Sequence, residues 1–192
     1  MNTVIRSILL LLLAAVSCVS ARSPQEVSGR DYAILSDFLR TQLEGKNGAD
    51  DIRVGPKGSV VAPFTNVFLK PLDTEQREWM KRDLKGLKSD TLESFERCAA
   101  EQLVIRHRLD LAVEYAIALP DEIKDRKMLY ARHPRTNGYL QFSCLGVDSS
   151  GIQALFYLER LKTEAAVGKW VLMEKDPSGH WVVKHQLVTW IA

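Results

Sequence analysis

The sequence predicts an α+β fold, with N-terminal and central helices packed on a C-terminal four-stranded antiparallel meander, and three observations carry that expectation. Apolar residues recur at helical spacing early in the chain, as in Tyr32, Leu35, Phe38, Leu39 and Leu43. Four β-rich runs fill the last third, at 139–147, 152–161, 169–175 and 181–191. Asp148-Ser149-Ser150-Gly151 and Asp176-Pro177-Ser178-Gly179 each place Asp first and Gly fourth, the chemistry of a tight turn, and short turns imply antiparallel neighbours. Helices ahead of a meander, rather than alternating with strands, make this an α+β order.

Residues 28–44 read as an amphipathic helix, with Asp37, Arg40 and Gln42 between its apolar positions. Residues 45–58 hold Gly45, Gly48, Gly55, Gly58 and Pro56, so they read as loop with at most a short strand at 52–54. The β-favouring run 60–69 is broken by Pro63, which predicts an edge strand or a bulge. Asp73 and Gln76 form a capping-box pattern ahead of Trp79, Met80, Leu84 and Leu87. Asp90 and Glu93 repeat it ahead of Leu92, Phe95, Cys98, Ala99 and Leu103, with residues 86–89 as the break between the two helices. Leu111, Val113, Tyr115, Ile117 and Leu119 alternate with smaller or polar residues, the period of a strand with one buried face, and Pro120 ends it. Residues 121–130 read as a short charged helix.

Composition excludes several classes. At 192 residues, 46% apolar and with three cysteines, the chain is neither disordered nor a disulfide scaffold. Lys plus Arg number 26 against 24 Asp plus Glu, a formal +2 that does not suit a nucleic-acid binder. Residues 1–21 have the parts of a secretion signal: Arg6, an apolar run at 8–16, and Val19-Ser20-Ala21 before a cut. The apolar run is too short to span a bilayer, which takes about 20 residues. Cleavage leaves 171 residues, 22–192, as one domain, and the loss of Arg6 brings the charge to +1. The alternative is a lipoprotein of the outer membrane, because Ala15-Val16-Ser17-Cys18 resembles a lipidation box in which Cys18 becomes the mature N-terminus. Export leaves Cys98 and Cys144, which either form one disulfide or remain two separate buried thiols.

The C-terminal half carries Gly138, Ser143, Gly146, the run Gly151-Ile152-Gln153-Ala154-Leu155-Phe156-Tyr157, Gly168, Leu172, Glu174-Lys175, Gly179-His180-Trp181-Val182-Val183 and the ending Trp190-Ile191-Ala192. This pattern resembles an uncharacterised family of exported bacterial proteins with Gly-x-Gln-Ala-Leu-x-Tyr, Leu-x-Glu-Lys, Gly-x-Trp-x-Val and terminal Trp-Ile elements. The resemblance implies a shared fold and export, with no established function. It gives the glycines turn roles, Trp181 and Trp190 core packing, and Gln153 a buried hydrogen bond. The family's Cys-Gly-Gly-Leu-Cys-Gly-like loop has no counterpart, since residues 160–167 contain no cysteine, and its role does not transfer.

Catalytic chemistry has few footholds. His107, His133, His180 and His185 lack metal-ligand spacing, so no metal or other cofactor is expected. Ser143 lacks a nucleophile elbow. Cys144 is a candidate nucleophile if His133 or His185 approaches it, against the ordinary reading of a cysteine packed in a strand. Glu114, Glu159 and Glu174 interrupt apolar strands. Strand parity puts Tyr157 with Glu159 and Trp170 with Glu174, so one face is expected either to present acids along a cleft or simply to be solvated. Lys124, Arg126, Lys127, Arg132 and Arg135 with His133 form the densest basic stretch, diluted by Asp121, Glu122 and Asp125.

The leading expectation is an exported, non-catalytic binding or interaction module of the periplasm or extracellular space, whose partner is a protein or small ligand. Nucleic acid is not expected, and membrane attachment only through Cys18. The alternative is a small hydrolase-like enzyme using the acidic sheet face, Glu159 and Glu174, or Cys144.

Overall fold

A computed structural model of the chain describes residues 25–44, 59–61, 72–99, 103–105, 109–111, 115–118, 122, 125–134, 139–161 and 165–192. The leader with Cys18, the loop 45–58, His107, Glu114, Lys124 and Arg135 lie outside the described residues. Chain order runs β1 (Gln25–Glu26), α1 (Gly29–Glu44), β2 (Ser59–Val61), α2 (Thr74–Asp83), α3 (Ser89–Cys98), β3 (Leu103–Val104), β4 (Tyr115–Ile117) and α4 (Arg126–Arg132). The remaining strands are β5 (Tyr139–Phe142), β6 (Gly146–Val147), β7 (Gln153–Leu161), β8 (Ala166–Lys175) and β9 (Trp181–Ile191). The fold is α+β. Its main sheet has the order β4-β2-β5-β7-β8-β9, with β6 beside β7, and β1 and β3 form a separate parallel pair.

The meander is β5-β7-β8-β9, antiparallel throughout. The two Asp-to-Gly turns form as their sequences direct: Gly151 N–H donates to Asp148 O and Gly179 N–H to Asp176 O, with both glycines at positive φ. The first run of the meander is not one strand, which corrects the placement of Cys144 in a strand. Phe142 faces Leu158 and Gly146 faces Leu155, so β5 and β6 carry one residue more than β7 opposite them, and 143–145 bulge. Ser143 makes this possible. Its Oγ accepts from Tyr157 N–H at 2.8 Å, standing in for a ladder carbonyl, and donates to Cys144 O.

Two further expectations are corrected. The strand before Pro63 is not an edge: β2 pairs in parallel with both β4 and β5 and sits between them. The helix after the break starts at Ser89 with Lys88 as N-cap, and no side chain caps it in the manner expected of Asp90. Asp90 instead accepts from Ser149 N–H and Oγ, and the N–H of Lys88 goes to the Gln153 side chain at 2.8 Å. By contrast Asp73 and Gln76 close a full capping box on α2. The charged helix expected at 121–130 is α4, starting from Asp125, which caps Lys127 and Met128.

The sheet is covered on both faces. Phe156 and Phe142 point to the face where Phe38 of α1 meets them edge-on, at 5.1 and 6.2 Å between ring centroids. The adjacent residue Tyr157 points to the other face with its cross-strand partner Trp170, and there Phe95 of α3 packs on Trp170 at 5.0 Å. Burying each such ring is worth about 1.5–3 kcal/mol. The short strand β4 is also packed on both sides. Tyr115 and Ile117 join the main core, while Ala116 and Ala118 meet Leu129 of α4, Tyr139 and Leu161.

α3 approaches β6 closely because Gly146 has no side chain, and a Cβ there would lie 2.5 Å from the Phe95 Cα. The same approach brings Cys98 to Cys144. Their Cα atoms are 5.9 Å apart and their sulfurs are joined at 2.05 Å.

Candidate functional site, an aromatic cleft with one carboxylate

The face under α2 is incompletely filled. A cleft of about 390 Å³ lies between α2 and the β7-β8-β9 surface, lined by Leu72, Gln76, Trp79, Met80, Tyr157, Glu159, Trp170, Thr189 and Trp190. That volume falls within the range of small-molecule sites. Three of the four tryptophans converge on it. Parity explains the sheet side: Tyr157 and Glu159 share a face of β7, opposite Trp170 and Gly168 of β8, and Trp190 of β9 is opposite Gly168. Trp79 arrives from α2, one turn after the capping box that aims the helix.

Polar groups around the cleft form a directed chain. Thr189 Oγ1 donates to Gly168 O at 2.9 Å, which leaves it to accept from Tyr157 Oη at 3.0 Å, while Tyr157 Oη accepts from Trp190 Nε1 at 2.6 Å. Gly168 allows the crossing, since a Cβ there would collide with Tyr157 Oη and the Trp190 indole. Burial pushes the Tyr157 phenol up from its ordinary value against its hydrogen bonds with Thr189 and Trp190, and the Glu159 charge adds to the rise.

Glu159 is the acid among the described lining residues. Burial raises its carboxyl above the ordinary range, and no hydrogen bond or counter-charge from the described residues opposes that. Glu174 lies on the same face but at the other end of the strands. Glu159 is opposite Gly168 and Glu174 opposite Gln153, six residues along, or about 20 Å at strand rise. Glu174 is occupied: it accepts from Gln153 Nε2 at 3.0 Å and pairs with Lys184 at 3.3 Å. The two acids therefore do not form a pair.

Gln153 is the polar centre of that second end. It is fully buried, its Oε1 accepts from Lys88 N–H and Thr91 Oγ1, and its Nε2 donates to Gly86 O and to Glu174. All four of its hydrogen-bonding positions are filled. Asp148 beside it is also buried. Burial alone pushes its carboxyl up, but donors from Lys88 Nζ, Ser150 Oγ and the N–H groups of Gln153 and Ile152 outweigh that and hold it well below the usual carboxylate range. This is a structural knot, not an open site.

Cys144 does not serve as a nucleophile in this state, because its sulfur is bonded to Cys98 and has no thiolate to attack with. His133 turns to Glu122, 3.4 Å away, and Arg132 meets the same carboxylate at 2.6 Å. Part of the basic stretch is thus neutralised by a buried acid. Among the described residues no group of three His, Cys, Asp or Glu side chains is placed to hold a metal ion, and no helix is long and apolar enough to cross a membrane.

Sequence reasoning reached Glu159, Tyr157 and Trp170 through strand parity. It missed Trp79, Gln76 and Thr189, and gave Trp190 to core packing. The one signal available was the shared face of Trp190 and Trp170, which the β-bulge between Gly168 and Lys169 obscures. Comparison with protein-family models, with curated proteins and with solved structures finds no match for this chain.

Proposed function

We propose that the chain is an exported, non-catalytic binding module, and that the cleft between α2 and the sheet is where it holds a small ligand. The observation that carries this reading is the makeup of the cleft. Its described lining has three indoles and one carboxylate, and the nearby phenol is tied to Thr189 and Trp190. Among the described residues Glu159 has no second carboxylate or histidine beside it and the Tyr157 phenol is held in hydrogen bonds, so the arrangement suits holding a molecule better than moving its protons. The hydrolase alternative loses support because Glu174 and Cys144 are both engaged elsewhere.

Export is the second half of the proposal. The leader pattern of residues 1–21 supports it, as does the resemblance of the C-terminal half to exported bacterial proteins. A Cys98–Cys144 disulfide suits an oxidising compartment. The mature chain then begins at Arg22, with lipidation at Cys18 as the competing outcome.

Native mass spectrometry of the protein recovered from its own host tests both halves. The expected species begins at Arg22 without lipid and carries a small non-covalent adduct that a cleft-filling Thr189→Trp variant lacks. A lipid-bearing species beginning at Cys18 overturns soluble export. Ligand-free protein, even after incubation with envelope extract, overturns the binding module.

A further inference from the structure

We infer that the cleft takes an alkylammonium group, the charge set against Glu159 and the alkyl surface against Trp79, Trp170 and Trp190. This rests on the binding reading above and names the ligand's chemistry. The inference follows from what the cleft can and cannot offer.

Three of the hydrogen-bond donors among the described lining residues are already committed. The Trp190 N–H goes to Tyr157, the Tyr157 hydroxyl to Thr189, and the Thr189 hydroxyl to Gly168 O. Gln76 spends its Oε1 on the Asp73 N–H and leaves only its amide nitrogen to the cleft. An anionic ligand would meet the Glu159 carboxylate with no cationic side chain among the described lining residues to offset it. A neutral apolar ligand would fill the space but strip water from Glu159 without replacing it, which is costly for a charged carboxylate. A cation supplies the missing counter-charge. An alkylated ammonium also needs no acceptors for N–H groups it lacks, and it is the kind of cation that aromatic walls attract.

The approach to the cleft carries the same sign. A shallower depression of about 520 Å³ shares Gln76 and Trp79 with it and adds Glu75, Glu78 and Arg82. Arg82 is held by Asp83 at 2.8 and 3.2 Å, and Lys81 nearby pairs with Glu78 at 3.2 Å. The cations here are thus offset within α2, and Glu75 remains as excess negative charge at the mouth.

Choline and its carbon isostere 3,3-dimethylbutan-1-ol differ by one charge at nearly constant shape, so together they isolate the electrostatic part of binding. Titrations followed on the indole N–H resonances of Trp79 and Trp190 should show choline binding about tenfold more tightly than the isostere. Glu159→Gln should abolish that preference while leaving the isostere's affinity unchanged. Trp79→Leu should weaken choline more than the isostere. Equal binding of the two probes, or tighter binding of the isostere, overturns the alkylammonium assignment and leaves the cleft a binding site. No response to either probe also overturns it, and the native-mass experiment then reports separately on the binding reading. Phosphatidylcholine vesicles distinguish the source of the group. Choline binding without co-sedimentation supports a free cation, and co-sedimentation lost in Glu159→Gln supports the same chemistry on a lipid headgroup.

Discussion

Trp190 donates its indole N–H to the Tyr157 hydroxyl at 2.6 Å, although the two residues lie on β9 and β7 with β8 between them. The bond passes over Gly168, whose missing side chain is the space both groups occupy. Gly168→Ala should therefore cost about 1–3 kcal/mol, the range for overpacking a closed site. Urea denaturation measures this, and the Trp190 indole resonance should move in the same variant. Trp190→Phe keeps most of the ring and removes the donor, at a cost of about 1 kcal/mol. Wild-type stability in Gly168→Ala would show that the crossing is not closely packed.

Glu159 lowers the stability of the fold at neutral pH. Burial raises its carboxyl pKa in the folded protein, so the folded state holds that proton more tightly than the unfolded chain does. Its contribution is then fully present below the unfolded value near 4.5 and is lost as pH rises through the folded value. Glu159→Gln should be more stable than wild type at pH 7, and the difference should shrink as pH falls through the acidic range. Denaturation midpoints from pH 4 to pH 8 report this directly. A Gln variant less stable than wild type at neutral pH would mean that the carboxylate has a partner in the fold.

What could be read from the sequence divides by how far each determinant reaches along the chain. The capping box of α2 needs only Asp73 and Gln76, and the meander turns need only four residues each, so periodicity and turn chemistry reveal them. The start of α3 was misplaced because the group satisfying its first N–H is Gln153, 65 positions away. The bulge at 143–145 depends on one hydroxyl replacing a carbonyl opposite Tyr157, and nothing in the local pattern of β-favouring residues announces it. Coverage of both sheet faces follows from where α1 and α3 dock, which amphipathicity alone leaves undetermined. The cleft was half visible for the same reason. Strand parity placed Tyr157 and Glu159 on one face, but Trp79 joins them only through tertiary docking of α2.

Asp148 should behave opposite to Glu159. Burial pushes its carboxyl up, but the donors from Lys88, Ser150, Gln153 and Ile152 prevail and hold it low in the folded state. The stability this supplies is present above the unfolded value of about 3.8 and is lost as pH falls through the folded value. Asp148→Asn should cost about 1–3 kcal/mol at pH 7, because a charged acceptor serving several donors becomes a neutral one. The acid limb of the stability profile should flatten in the variant. Parallel acid limbs in the two proteins would place the acid sensitivity elsewhere.

The Cys98–Cys144 bond closes a loop of 46 residues of separation that contains α4, β4 and β5. On the chain-entropy account, tying a loop of that length stabilises the fold by about 4 kcal/mol through the unfolded state. The bond also holds the C-terminal end of α3 against the bulge, where Gly146 already lets the Phe95 backbone come close. The double variant Cys98→Ser, Cys144→Ser should lose about 2–5 kcal/mol, and reduction of the wild type should lose as much. Because α3 supplies Phe95 to Trp170, loosening that helix should reach the cleft as well. The Trp79 and Trp190 indole resonances should then broaden or shift on reduction. Thiol titration in unfolding buffer provides the prior check: no free thiol is expected in the mature protein before reduction and two after it. Two free thiols beforehand would remove the bond and the coupling that depends on it.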